Sequence, residues 1–201
     1  ARVHNKAKLA YDAVAAWIDG TGPLPEAADR VPGMDEQIRT QDSVAQQLRA
    51  RRREHGSLEF QTFQPRAEFQ GDQVVAIKQQ VQNRARQLIE EFMVATNGVT
   101  ARFLAGKKRA SIRRVVKSPE RWARIAEVAA ERGWQLPPEP NSAALEQFLA
   151  AERKRDPQRF PDLSLIIVKL MGRGEYVVER PGGPTIGHFG LAVRDYSHST
   201  A

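Results

Sequence analysis

Cleaving a phosphodiester with metal ions takes several carboxylates converging on two cations a few ångströms apart. The aspartates of this chain, scattered from Asp12 to Asp195, contain no D-x-D and no adjacent pair. Glu90 and Glu91 are the one pair of neighbouring glutamates, and at about 100° per residue on a helix only one of them can face a given site. Four histidines, His4, His55, His188 and His198, are dispersed, and there is no cysteine. Neither an imidazole cluster nor a thiolate metal site is therefore expected. No G-x-S-x-G elbow, H-E-x-x-H pair or phosphate-binding glycine loop occurs either. The residues of this chain alone supply no catalytic constellation and no metal ligand set.

What the spacing does offer is a column of polar groups. Between residues 83 and 105, Ala85, Leu88, Ile89, Phe92, Met93, Val99 and Phe103 recur at steps of three and four. This predicts one long central helix with an apolar side turned to the core. Asn83, Arg86, Glu90 and Asn97 fall together on the opposite side. Such a column is either a solvated face or the wall of a site, and periodicity does not decide which.

The elements around it follow from the same rules. Residues 7–20 read as a buried helix closed by Gly20, Gly22 and Pro23, and a second helix runs from 34 to 55 into the basic end at 49–53. That arginine run reads as a solvated helix terminus complementing the dipole. Leu58 and Phe60 alternate, and Gly71-Asp72 between two short apolar runs signals a hairpin. Residues 110–116 suggest a strand. Ser118 and Pro119 suggest the start of a helix carrying Trp122, Ile125 and Val128 inward. A further helix spans 141–155, 161–171 suits a buried strand or a buried helix equally, and 176–179 and 188–193 read as strands. The expected class is α+β, a mixed sheet packed with several helices.

At 201 residues one domain is expected. No run approaches the roughly 18 apolar residues of a membrane span, so no membrane partner is expected. Thirty-one Lys and Arg against 24 Asp and Glu leave a formal charge of +7, which favours a polyanionic partner. The absence of cysteine fits a reducing, cytoplasmic setting. The chain opens without an initiator methionine and ends without a stop signal, so it reads as a piece of a longer protein.

Read in order, AKLAYDAV at 7–14, GSLEF at 56–60, LIEEFM at 88–93 with Asn97, IRRVVKSP at 112–119 and GHFGLA at 187–192 before YSHST at 196–200 resemble the RNB catalytic domain of the ribonuclease II and ribonuclease R family. The resemblance spans nearly the whole chain. It implies part of a single RNB-type domain of a 3′ to 5′ exoribonuclease, which threads single-stranded RNA into a narrow channel and processively releases nucleoside 5′-monophosphates using Mg²⁺. It also implies an aromatic against the terminal bases at Tyr11 and another at Phe60, and a nucleotide-contacting carboxylate at Glu90. Arg86 and Asn97, on the same polar column, join the expected RNA-binding set. Stacking of this kind contributes about 1 to 3 kcal/mol per base and ignores sequence.

The chain departs from the pattern at Val116, where family members often carry histidine. The family's metal-binding aspartates are expected before Ala1 and its catalytic arginine motif after Ala201. The expected partners are therefore single-stranded RNA and the missing segments of the same polypeptide, in a monomer whose Mg²⁺ is held outside this piece. By itself the piece is expected to be inactive. A non-catalytic RNA-binding or regulatory module on the same scaffold is the alternative, and a helical DNA-binding protein reading from Asn83 to Arg86 is a third.

Overall fold

The structure, a computed structural model, describes residues 2–61, 65–79 and 82–197. His198, Ser199 and Thr200 of the last motif lie outside the described residues. In chain order the elements are α1 (Tyr11–Ile18), α2 (Glu26–Asp29), α3 (Met34–Glu54), β1 (Pro65–Gln70), β2 (Gln73–Gln79), α4 (Arg84–Gly106), β3 (Ser111–Val115), α5 (Trp122–Ala130), α6 (Ser142–Arg155), α7 (Phe160–Met171), β4 (Glu175–Glu179) and a short 3₁₀ turn (Phe189–Leu191). The α+β class holds. Its sheet part consists of two antiparallel two-stranded ribbons, β1 with β2 and β3 with β4. Among the described residues no helix is long and apolar enough to cross a membrane.

The chain divides into two compact units. The first comprises residues up to 50 together with 81–95. Its core gathers Val14 and Ala15 of α1, Ala28 of α2, Ile38 of α3 and Ala85 of α4, with Leu9, Trp17, Ile18, Leu24 and Met34 packed around them. The start of α4 is fastened to α3 by a two-pronged ion pair in which Arg84 Nε donates to Asp42 Oδ1 at 3.0 Å and Nη2 donates to Oδ2. A planar guanidinium suits this fork.

The second unit comprises 51–80 and 96–201. Its core is built by three helices whose inward residues recur every three or four positions: Trp122, Ile125, Val128 and Ala129 of α5, Leu145, Phe148 and Leu149 of α6, and Phe160, Leu163 and Ile167 of α7. Asn141 caps α6 by accepting the Ala144 N–H at 2.9 Å. The β1–β2 ribbon turns at Gly71, whose φ of +62° suits glycine. In β3 the side chains alternate: Ser111, Arg113 and Val115 are buried, while Ile112 is exposed and Arg114 half-buried. Arg113 is 1 % exposed, and its Nη2 donates to Ala101 O at 3.1 Å and to Glu179 Oε1 at 3.0 Å.

Several local expectations are corrected. The buried positions of α4 are Ala85, Leu88, Glu91, Val94, Asn97 and Ala101, whereas Ile89, Met93, Val99 and Phe103 are exposed. The helix is rotated relative to its apolar pattern because two polar side chains take buried positions. α1 is shorter than read, beginning at Tyr11. α5 starts at Trp122 rather than at Ser118-Pro119, with Arg121 before it. Residues 161–171 resolve as helix, opened by a proline in the first turn, where a missing N–H costs nothing. Leu58 and Phe60 lie outside any strand. Residues 188–193 form no strand: His188 N–H donates to Val193 O at 2.8 Å across a 3₁₀ turn that Ala192 closes in the left-handed region.

The core of the second unit should respond to truncation. Phe148→Ala should destabilise it by about 3–5 kcal/mol, lowering the urea midpoint, whereas Val178→Ala on the exposed ribbon face should change stability by less than about 0.5 kcal/mol. Equal shifts would show that Phe148 is not a core anchor.

Candidate nucleic-acid interface

In the first unit, two of the expected residues, Tyr11 and Arg86, are brought together by two helix starts. Asn83 precedes α4, and its Oδ1 accepts the Arg86 N–H at 3.0 Å, the usual satisfaction of an orphan first-turn donor. Its Nδ2 donates to Asp12 Oδ1 at 2.9 Å. One asparagine thus caps α4 and ties it to the first turn of α1. Tyr11 begins that turn, and the Arg86 guanidinium lies over its ring, 4.8 Å from the centroid, while Arg86 Nη2 stands 3.7 Å from Asp12 Oδ1.

Tyr11 as a residue remains 43 % exposed. It is therefore held from one side by a cation, an attraction of about 0.5–2 kcal/mol, and still open to a flat partner. Glu90 is one turn beyond Arg86 and half-buried, and its Oε2 accepts from Gln82 Nε2 at 3.1 Å. Glu91 is 2 % exposed. Of the two glutamates, Glu90 is the one with solvent access.

In the second unit, Phe60 sits on a segment fixed by its backbone. Leu58 N–H donates to Gly190 O at 2.9 Å, Glu59 N–H to Glu146 Oε2 at 3.0 Å, and Gln61 N–H to Ser164 Oγ at 3.2 Å. The Glu59 carboxylate receives Arg153 Nη1 at 2.6 Å and Arg53 Nη2 at 2.7 Å. Phe60 is half-buried and packs on the helical core. Asn97, also in this unit, is 4 % exposed. Its side chain offers no surface to a polynucleotide, so the polar column loses that member to the interior.

The residues that sequence reasoning missed are the positioning ones. Asp12 and Asn83 fix Tyr11 and Arg86, and nothing in their spacing, 71 positions apart, signals the contact. Among the described residues no group of three or more His, Cys, Asp or Glu is arranged to hold a metal ion.

The comparisons with known proteins agree on one family. A model of the RNB domain matches residues 1–201. Ribonuclease R of Vibrio cholerae is 28 % identical over 206 residues, covering 99 % of this chain and 24 % of that protein. Ribonuclease R of Escherichia coli is 30 % identical over 157 residues, covering 75 % of this chain and 18 % of that protein. Ribonuclease R of Mycoplasma genitalium, solved in complex with ribose-methylated single-stranded RNA, superposes with a TM-score of 0.76 at 18 % identity, over 94 % of this chain and 29 % of its own. The fold is thus shared with that enzyme. The chain spans about a quarter of the length of the curated relatives it matches.

The clamp around Phe60 carries a pH signature. Burial holds the Glu146 carboxyl above its ordinary 4.5, partly opposed by the Glu59 N–H and by Arg153. A raised folded value means that the native state binds the proton more tightly than the unfolded chain, so stability falls as pH rises from 4.5 through that value. Glu146→Gln keeps an acceptor for Glu59 N–H and has no proton to lose. Thermal unfolding across this range should show the variant gaining on the unmodified protein as pH rises, and parallel curves would remove Glu146 as the group responsible.

Proposed function

The chain belongs to the RNB domain family, and from that premise we propose that it is part of a 3′ to 5′ exoribonuclease acting processively on single-stranded RNA and releasing nucleoside 5′-monophosphates. The observation that carries this reading is the single family match running through all 201 residues, joined by ribonuclease R relatives that cover 99 % of the chain. The neighbour solved with single-stranded RNA, and also with double-stranded RNA, supports RNA as the substrate class. We read residues 1–201 as one incomplete RNB-type domain.

Within it Tyr11 offers an aromatic surface on which the terminal base stacks. Arg86 fixes the plane of that ring, and Asp12 with Asn83 fixes Arg86. Glu90 accepts hydrogen bonds from a nucleotide near the reacting end, and the exposed part of Phe60 supplies a second apolar contact. Stacking is insensitive to base identity, as a general degrader requires. The described residues do not supply a ligand set for Mg²⁺. In-line attack by water on the scissile phosphate, assisted by two metal ions, is assigned to the complete enzyme, whose remaining segments would hold them. The chain's own residues bind the strand and set its register.

In the complete enzyme Tyr11→Ala should lower kcat/KM on a single-stranded oligonucleotide by about 5- to 150-fold, the equivalent of 1–3 kcal/mol of stacking, and Tyr11→Phe should retain most of it. Glu90→Ala should slow cleavage with an unchanged melting temperature. If the complete protein with Mg²⁺ released no mononucleotides, the enzymatic reading would fall and the binding-module alternative would take its place. If it did so while both alanine variants turned over normally, the assignment of this face to RNA would fall.

A further inference from the structure

Within the second unit His55 just after α3, residues 116–118 just after β3, Ser142 in the first turn of α6 and the loop at 185–194 border an open cavity of about 590 Å³. Its walls are set by backbone bonds: Phe189 N–H donates to Val116 O at 2.8 Å, and His188 N–H to Val193 O at 2.8 Å. A β-carbon on Gly187 would sit 2.9 Å from Val193 O, so the loop closes there only with glycine. The cavity is formed by the fold itself.

Its polar lining has one sign. Lys117, Arg194, His55, His188, Ser118 and Ser142 border it, and none of the described lining residues carries a carboxylate side chain. Ser142 also opens the 14-residue α6, whose positive dipole end adds to the field. Lys117 is paired outside the lining with Glu175 Oε2 at 3.0 Å, both more than half exposed. Such an exposed pair is worth about 0–1 kcal/mol and yields readily to a more highly charged ligand.

His188 contributes as a neutral donor. Its Nδ1 accepts the Leu191 N–H at 3.1 Å, which leaves the ring proton on Nε2. Burial, with Arg114 nearby, holds its pKa down at about 4, so this tautomer persists at neutral pH. Val116, Ile186 and Phe189 give the cavity an apolar portion. Two cationic residues, hydroxyl and imidazole donors and an apolar wall match one ligand chemistry: a phosphate carried on a nucleoside, singly charged as a diester and about −1.5 to −2 as a monoester.

We propose that this cavity is a phosphate-recognition site that takes a nucleotide, its phosphate at Arg194 and Lys117 and its sugar or base against Val116, Ile186 and Phe189. The exoribonuclease reading enters only as the source of the phosphate, either the diester of an RNA strand or a released mononucleotide.

The test is local footprinting on the intact protein, in EDTA so that no strand is cleaved. Lys117 is acetylated and His55 carbethoxylated, with peptide mass spectrometry as the readout and Lys78 on β2 as the control. Inorganic phosphate, adenosine 5′-monophosphate and a single-stranded oligoribonucleotide are added in separate arms. Protection of Lys117 and His55, with Lys78 unchanged, is the expected result. Protection by the mononucleotide identifies a phosphomonoester ligand, and protection by the oligonucleotide alone identifies the diester.

Arg194→Glu should shift half-protection to concentrations about tenfold higher or more by reversing a charge-assisted contact. Ser142→Glu should do the same while leaving α6 intact, because an acidic residue is favoured in a first turn. Absence of protection in every arm, or protection undiminished in both variants, overturns the proposal. RNA hydrolysis with Mg²⁺ is measured separately, so a protein that degrades RNA without showing the footprint loses the site and keeps the enzyme. One that shows the footprint without degrading RNA does the reverse.

Discussion

Gly56 stands where no side chain fits. A β-carbon there would lie 2.5 Å from Ala143 N and 2.7 Å from its Cα, and the backbone is in the left-handed region at φ +86°, which glycine enters without strain. This close approach lets the chain turn from the end of α3 directly across the start of α6. From there three successive fastenings follow, to Gly190, Glu146 and Ser164. Each hydrogen bond is worth only about 0.5–1.5 kcal/mol net. Together they draw residues 57–61, the α6–α7 pair and the 187–193 loop into one assembly within the second unit, and they set where Phe60 can be.

The first unit reaches the same end by a different route. Its core is small, and what fixes the geometry of Tyr11 is a short polar relay through Asp12, Asn83 and Arg86. Here the apolar contacts hold the helices and the polar ones aim a side chain. That division explains why Arg86 can be a cation, a stacking partner and a positioning group at once: only a flat, permanently charged guanidinium does all three.

Much of the architecture was legible. α3, α6, β3 and β4 lie close to where the sequence pattern puts a helix or a strand, and the β1–β2 turn falls at Gly71-Asp72 as read. α4 was legible as a helix and misleading as a face. Its pattern ranks Ile89 and Met93 as interior, yet Glu91 and Asn97 are the residues buried, because a polar side chain can go inside when the surrounding fold supplies its partners. A linear sequence does not list those partners. At 188–193 alternation suggested a strand, but a 3₁₀ turn closing on itself satisfies the same backbone groups locally. Of the site, Tyr11 and Glu90 were reachable through family resemblance. Asn83 falls on the polar column, but its contact with Asp12 and the basic cavity were not reachable, since they arise between distant segments.

The fastening of residues 56–61 also has a schedule. Its partners on α6 and α7 lie 87 residues downstream at Glu146, 94 at Arg153 and 103 at Ser164. At about 5–20 residues per second, the ribosome delivers the last of them roughly 5–20 seconds after the segment itself has been made. Throughout that interval Leu58 and Phe60 have no α6 or α7 to lie against. Synthesis of this protein therefore includes a built-in period of dependence, in which a stretch of chain waits, apolar and unmatched, for helices that have not yet been translated.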